Sequence, residues 1–139
     1  AAGAAGRRAE YVMLDIKTER ELNELESAEG ASMRKELGID KEGVKEIITK
    51  GYKILDLITF FTTGEDETRG WTIKRGSSAP EAGAAIHTDF KDKFIRAEVV
   101  HCDDLLREGS YAAAREKGLV RTEGKEYVVK DGDVIEFKI

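Results

Sequence analysis

The spacing of apolar residues changes at residue 56, and this change limits the folds that the chain can adopt. Before it, Val44, Ile47 and Ile48 recur at the three- and four-residue intervals of an amphipathic helix. After it, the residues of 57–61 alternate between two faces, as they do in a strand. The sequence therefore predicts an α+β protein whose organisation changes at residue 56.

Residues 10–55 are predicted to be mostly helical, with one strand. Residues 11–15 form a short apolar run typical of a buried strand, and Thr18 is placed to cap the helix that follows. One strand cannot satisfy its own two edges. We therefore interpret residues 10–55 as the C-terminal remnant of an incomplete α/β domain, and residues 1–9 as a disordered or tag-like terminus.

Residues 56–139 alternate strand and helix patterns in the order β-β-α-β-α-β-β. The predicted strands span residues 57–61, 71–74, 94–101, 127–129 and 134–139. The last two are expected to form a hairpin, because a Lys-Asp-Gly-Asp turn joins them. A mixed sheet with a helix across it is the ubiquitin-like β-grasp. We predict this fold for residues 56–139.

The composition limits the cellular compartments in which we expect the protein. Charged residues make up 37% of the chain, the net charge is -5, and no apolar run approaches the length of a membrane span, about 20 residues. Cys102 is the single cysteine, which leaves no partner for an intrachain disulfide and no cysteine cluster for zinc. We expect a cytoplasmic protein with no membrane partner.

The motifs of nucleotide hydrolysis are missing from the 139 residues. A phosphate-binding loop needs a glycine five residues before its Gly-Lys pair and a serine or threonine after it. Gly124 and Lys125 are followed by Glu126, and Leu119 stands where that glycine would be. We expect no catalytic residues in this chain.

The histidines suggest other chemistry only weakly. His87 and Asp89 could form an oriented general base, but they lie two residues apart, and no nucleophile accompanies them. A structural or binding role is favoured, with an independent small enzyme as the alternative. His101 and Cys102 are neighbours on a predicted strand and face opposite sides, so we predict no metal site.

Basic residues are concentrated in residues 69–96, where six basic and three acidic residues give a net charge of +3. A basic surface on an acidic body can attract phosphate locally. We expect these residues to form one RNA-binding surface with a histidine near it; its members are Arg69, Lys74, Arg75, His87, Lys91, Lys93 and Arg96. The plainer alternative is a solvated surface of mixed charge.

Six ordered motifs carry a family likeness. They span residues 57–62, 69–72, 76–80, 86–90, 94–99 and 127–133. In this order they resemble the C-terminal TGS region, a β-grasp domain, of the YchF or Obg-like ATPase family. Residues 14–25 resemble the last strand and helix of that family's GTPase-type domain.

The resemblance implies a parent P-loop protein that hydrolyses ATP or GTP with magnesium and associates with ribosomes. This chain would be its non-catalytic binding and regulatory module, with no cofactor of its own. Its expected partners are the ribosome or RNA and the missing N-terminal nucleotide-binding domain. Asp15, Ile16 and Lys17 stand where the family's last nucleotide loop would be. The other alternative, a ubiquitin-like carrier, would need a Gly-Gly tail, and residues 137–139 read Phe-Lys-Ile.

Overall fold

The computed structural model describes residues 11–39, 43–64 and 67–139. The chain divides into two compact units, of which unit 1 ends at Ile54 and unit 2 begins at Leu55. The predicted terminus, residues 1–9, lies outside the described residues. Across the described ranges, every helix is too short or too polar to cross a bilayer.

Unit 1 is helical throughout its regular elements, which are α1 (Ile16–Asn23), α2 (Ser27–Glu36) and α3 (Gly43–Leu55). The predicted strand at residues 11–15 is wrong, because these residues form neither strand nor bridge. A lone strand would leave its peptide groups unpaired on both sides. Helix α1 also begins earlier than Thr18 suggested, since the Asp15 carboxylate accepts hydrogen bonds from the backbone N–H groups of Lys17 and Thr18 at 3.0 and 3.2 Å.

A partly buried ion pair links the three helices of unit 1. The Glu19 carboxylate accepts hydrogen bonds from both terminal nitrogens of Arg34 at 3.0 Å and from the Gly43 N–H at 3.1 Å. The bidentate Arg34 contact, ahead of the other causes, holds the pKa of Glu19 below its usual value. One carboxylate thus connects α1, α2 and the first residue of α3.

Unit 2 contains five strands and four short helices within the part of the chain that the structure describes. In chain order they are β1 (Leu57–Thr63), β2 (Thr68–Lys74), α4 (Ala79–Ala84), α5 (Thr88–Asp92), β3 (Arg96–His101), α6 (Cys102–Glu108), α7 (Tyr111–Glu116), β4 (Arg121–Glu123) and β5 (Asp133–Lys138). The predicted α+β class is confirmed.

The five strands form one mixed sheet in the order β2-β1-β5-β3-β4. The first and last strands are parallel neighbours in its centre, and the other three pairs are antiparallel. This order, with α4 packed on one face, is compatible with the predicted β-grasp.

The predicted hairpin of residues 127–129 with 134–139 is not formed. Residues 127–129 instead run beside the start of α4, where the Ala79 N–H donates to the Tyr127 carbonyl at 2.8 Å and the Val129 N–H donates to the Ser77 carbonyl at 3.0 Å. The turn that follows is tied to β1, because the Gly132 N–H donates to the Thr59 carbonyl at 2.8 Å. Strand β5 then pairs on both sides, with β1 and β3, and has no free edge for a hairpin partner.

Helices cover both faces of the sheet. Face A carries the larger cluster, in which Ile58, Phe60 and Ile135 pack against Ala79 and Ala82 of α4. Face B carries a smaller cluster of Val100 and Val134 under Ala114 of α7. Because successive strand residues point to opposite faces, every strand residue can be assigned to face A or face B from its position.

Phe137 of β5 packs against α5 on face A. Its ring meets the rings of Phe60, Phe90 and Phe94 edge to face, with centroid distances of 6.0, 5.8 and 6.3 Å. Edge-to-face aromatic pairs are favourable in this distance range. The position of α5, which contains Phe90, is therefore set by the end of β5.

Candidate nucleic-acid interface

The seven residues predicted to bind RNA divide into two groups and a histidine. The β2 cations are Arg69 and Lys74 of β2 and Arg75 directly after it. The α5–β3 cations are Lys91 in α5, Lys93 at the C-cap of α5, and Arg96 at the start of β3. All six side chains are exposed.

The structure does not bring the two groups onto one surface. Strands β1 and β5 lie between β2 and β3, so the backbone of Arg96 is about 14 Å from that of the β2 residues across the sheet. Lys74 pairs with Leu57, four residues before Phe61, whereas Arg96 pairs with Lys138, four residues after the Val134 that pairs with Phe61. Lys74 and Arg96 are thus about 26 Å apart along the strands.

The β2 cations do not share one face either. Arg69 lies on face A with Trp71, and its guanidinium sits 4.4 Å from the centroid of the Trp71 ring. The indole N–H of Trp71 donates to the Thr62 hydroxyl at 2.9 Å, which fixes the ring. Lys74, five residues from Arg69, points to face B. The expected single patch therefore fails because chain proximity does not indicate strand order.

Three of the six cations are held by local partners. They are Lys74, Arg75 and Lys93, whose charged groups contact the Leu55 carbonyl at 2.8 Å, Asp56 at 3.1 Å and Asp89 at 2.9 Å. The hydrogen bond between Lys93 and Asp89 is the main cause of a raised pKa at Lys93 and a lowered pKa at Asp89. These cations can bind a phosphate only in competition with their partners.

Lys91 and Arg96 are available to an external anion. Both are exposed, and neither forms an ion pair with any residue in the described ranges, although the charge of Lys91 contributes, after the hydrogen bonds from Ser78, to the lowered pKa of Glu81. Phe90 fixes the helix that carries Lys91, through its contact with Phe137. Arg96 is fixed at its backbone by pairing with Lys138 of β5.

Lys138, the cross-strand neighbour of Arg96, was not among the residues predicted from the sequence. Both residues lie on face B, and directly paired side chains in antiparallel strands are close neighbours. The Lys138 ammonium also contacts the Glu136 carboxylate on its own strand. No signal in the sequence places Lys138 beside Arg96, because the register of β3 with β5 depends on the completed sheet.

His87 occupies the N-cap of α5. Its Nδ1 accepts a hydrogen bond from the Asp89 N–H at 3.1 Å and lies 3.9 Å from the Asp89 carboxylate. That carboxylate is itself bound by Lys93. Since Nδ1 is occupied by a backbone donor, the arrangement is that of a helix cap rather than of a general base.

His101 repeats this arrangement at the start of α6. Its Nδ1 accepts from the Asp103 N–H at 3.3 Å, and the ligand atoms of His101, Cys102 and Asp103 lie within 4.8 Å of one another. Burial is the main cause of a raised pKa at the Cys102 thiol, which disfavours the thiolate that a metal requires. The cluster is therefore better explained as a second cap.

Asp15 is the N-cap of α1, and Ile16 and Lys17 begin its first turn. The Asp15 carboxylate also accepts a bond from the Thr18 hydroxyl, and its pKa is lowered mainly by the Thr18 N–H. A cleft of about 360 Å³ beside it has three acidic residues, Asp15, Glu19 and Glu46, in its lining. The Asp15 carboxylate is already used in capping, and a negative charge at this position disfavours a phosphate beside it.

Fold and surface together define a small α+β module that presents cations without a buried catalytic centre among the described residues. Residues 57–139 match the family model YchF-GTPase_C, described as a protein of unknown function (DUF933). The chain belongs to this family, as its motifs indicated.

Similar proteins extend the match into unit 1. The chain is 50% identical over 135 residues to "Ribosome-binding ATPase YchF" of Bacillus subtilis. The matched residues make up 97% of this chain and 37% of that protein. It is 45% identical over 120 residues to "Obg-like ATPase 1" of Rattus norvegicus, covering 86% of this chain and 30% of the relative. The chain thus spans about a third of the length of the curated relatives that it matches.

A solved structure shows the same fold. The Schizosaccharomyces pombe YchF GTPase superposes with a TM-score of 0.76 at 41% sequence identity, over 85% of this chain and 31% of that one. At this identity the likeness covers sequence as well as backbone.

Proposed function

We propose that this chain is the non-catalytic C-terminal module of a cytoplasmic YchF-type ATPase, and that it binds the ribosome through RNA phosphates. The observation that carries the proposal is the placement of Lys91 and Arg96, which are exposed and form no ion pair among the described residues. Two of the relatives support it, since one is called a ribosome-binding ATPase and the other an Obg-like ATPase. Lys93 would join the contact by exchanging Asp89 for a phosphate.

The remaining two-thirds of such a protein would hold the nucleotide site, with ATP or GTP and magnesium. Unit 1 supports an intramolecular role because α3 exposes an apolar stripe that includes Val44, Ile47, Ile48 and Ile54. A stripe of this kind on a soluble protein indicates a surface that another domain covers. We expect the chain by itself to bind no ATP in magnesium-containing buffer, as measured by calorimetry.

The test of ribosome binding is a triple charge reversal, Lys91→Glu, Lys93→Glu and Arg96→Glu. The chain would be sedimented with purified ribosomes and titrated with a labelled ribosomal RNA fragment at several salt concentrations. Removal of each phosphate contact should reduce the slope of log affinity against log salt by about 0.7 to 0.9. The variant should bind with a slope lower by about 2 to 3. It should remain folded, because exposed charges contribute little to stability.

The matched control reverses the β2 cations Arg69, Lys74 and Arg75, which changes the charge by the same amount on the same unit. We expect this control to keep most of the salt-dependent binding. Equal weakening in the two variants would show that binding follows net charge and would refute the assignment to α5 and β3. Unchanged binding in the first variant would place the ribosome contact on another surface.

A further inference from the structure

The two edges of the sheet differ in length. Strand β4, at one edge, has three residues, and short edge strands are one way in which proteins prevent unwanted pairing. Strand β2, at the other edge, has seven residues that pair with β1 in an unbroken register. Its sequence contains no proline, and the continuous register leaves no place for a bulge. Of the features that usually prevent an edge strand from pairing with another chain, β2 therefore has only its charged side chains.

The hydrogen bonds at both ends of the β1–β2 ladder show which peptide groups face outward. The Gly64 N–H donates to the Glu67 carbonyl at 2.8 Å, and the Arg75 N–H donates to the Asp56 carbonyl at 2.8 Å. Antiparallel pairs alternate between bonded and non-bonded, so Arg69 lies in a bonded pair and the pairs of Thr68 and Gly70 are non-bonded. The N–H and C=O groups of Thr68 and Gly70 therefore point away from β1.

This outward edge is open at residues 68–70. Thr68, Arg69 and Gly70 are all exposed, and no hydrogen bond within the described residues reaches the outward peptide groups of Thr68 and Gly70. A Cβ atom on Gly70 would meet its nearest neighbours, Phe61 and Thr59, at 3.5 Å, an ordinary contact. The packing of unit 2 therefore does not require the missing side chain.

We propose that the β2 edge is a docking site for an extended acidic segment of a protein, which adds a sixth strand to the sheet. Alternating donors and acceptors match a peptide backbone, whereas the outward carbonyls would repel RNA phosphates. In the added pair, Arg69 would occupy a non-bonded position, where facing side chains approach most closely. Strand β2 carries two cations and no acid, so a carboxylate opposite Arg69 is favoured, and a second copy of β2 in the register that faces Arg69 with Arg69 is opposed by like charge.

Two substitutions at Gly70 test the site with a matched control. Gly70→Pro removes the outward N–H and places a ring at the edge, and proline is tolerated where the N–H of an edge strand faces solvent. Gly70→Ala keeps that N–H. The probe is a labelled peptide of alternating valine and glutamate residues, equal to β2 in length. Its binding would be followed through the amide resonances of the isotope-labelled chain, at Thr68 in every variant and at residue 70 in the wild type and Gly70→Ala.

We expect the acidic peptide to bind the wild-type chain and Gly70→Ala with affinities within about twofold of each other. It should bind Gly70→Pro at least about tenfold more weakly, because this variant loses one hydrogen bond and gains a clash. Two further peptides keep the test independent of the folding of any variant. One carries N-methyl groups on alternate amides, and the other has lysine in place of glutamate; both should bind the wild-type chain at least about tenfold more weakly.

The site is refuted if the acidic peptide fails to bind at about 1 mM, or if N-methylation or Gly70→Pro leaves its affinity unchanged. Equal binding of the lysine peptide would overturn the acidic character of the partner. Loss of ribosomal RNA binding in Gly70→Pro would assign the edge to nucleic acid instead. Dimerisation of the chain that Gly70→Pro abolishes would assign it to a second copy.

Discussion

Substitution of Gly83 tests whether close packing on face A positions the helix that carries Lys91. Gly83 is buried in α4, and an added Cβ would lie 2.9 Å from the Phe90 Cβ and 3.4 Å from a ring carbon of Phe137. The Phe90 Cβ is fixed to the backbone, so α5 itself must shift. Alanine in place of glycine gains about 1 kcal/mol of helix propensity, and overpacking costs about 1 to 3 kcal/mol. We expect Gly83→Ala to destabilise unit 2 by up to about 2 kcal/mol.

The assay is urea unfolding followed by the fluorescence of Trp71, the single tryptophan, which lies in unit 2. Gly70→Ala is the control, because its Cβ would make only ordinary contacts and should stabilise the strand by about 0.5 to 1 kcal/mol. Gly83→Ala should also weaken RNA binding, since Lys91 moves with α5. Stabilisation of unit 2 by both substitutions would refute the argument that Gly83 sets the place of α5.

Two ionisable groups give pH-dependent predictions. Burial, followed by the hydrogen bond to Asp133, raises the pKa of Tyr127 to about 12 from 10.0. The protonated tyrosine therefore stabilises the folded state below pH 10, and this stabilisation is lost as the pH rises towards 12. When the free energy of unfolding is measured against pH, Tyr127→Phe should show a smaller decrease at alkaline pH. At neutral pH the same substitution should cost about 1 to 3 kcal/mol, because buried Asp133 loses a donor at 2.7 Å. Because the pKa of Glu19 is lowered in the folded state, its carboxylate stabilises unit 1 above pH 4.5, and this stabilisation is lost as the pH falls through the folded pKa. Glu19→Gln should therefore weaken the helical signal of unit 1 in urea at neutral pH. It should also make the stability of unit 1 depend less on pH in the acid range.

Alternating patterns predicted the strands where a strand was flanked by partners. Residues 57–61 and 94–101 were assigned to strands that the structure contains, as β1 and β3. Residues 11–15 have a similar apolar pattern but no partner in the described chain, and they remain irregular. Residues 127–129 also alternate, yet they pair with the residues before α4 rather than with β5. Periodicity reports a strand-like surface, whereas pairing decides whether a ladder forms.

In the candidate site too, local sequence patterns did not predict which strands become neighbours. Lys91 and Lys93 lie at the end of α5 and Arg96 at the start of β3, so the three are neighbours along the chain, although α5 packs on face A and Arg96 lies on face B. Arg69 and Lys74 were grouped with them by net charge, but the sheet inserts β1 and β5 between. No local pattern specifies that the last strand enters the middle of the sheet. The capping role of His87 was also open in the sequence, because it depends on the direction of Nδ1.

The parallel pairing of the first and last strands of unit 2 has a consequence for synthesis. Phe61 and Val134 are partners 73 residues apart, so the central pair closes only after nearly all of the unit has been made. The β1–β2 hairpin and the β3–β4 pair can form earlier, but no strand pairing joins them without β5. Long-range pairing of this kind folds slowly and exposes strand edges in the meantime. A nascent chain that has reached Glu123 therefore holds two separate pieces of sheet, and the final six-residue strand unites them.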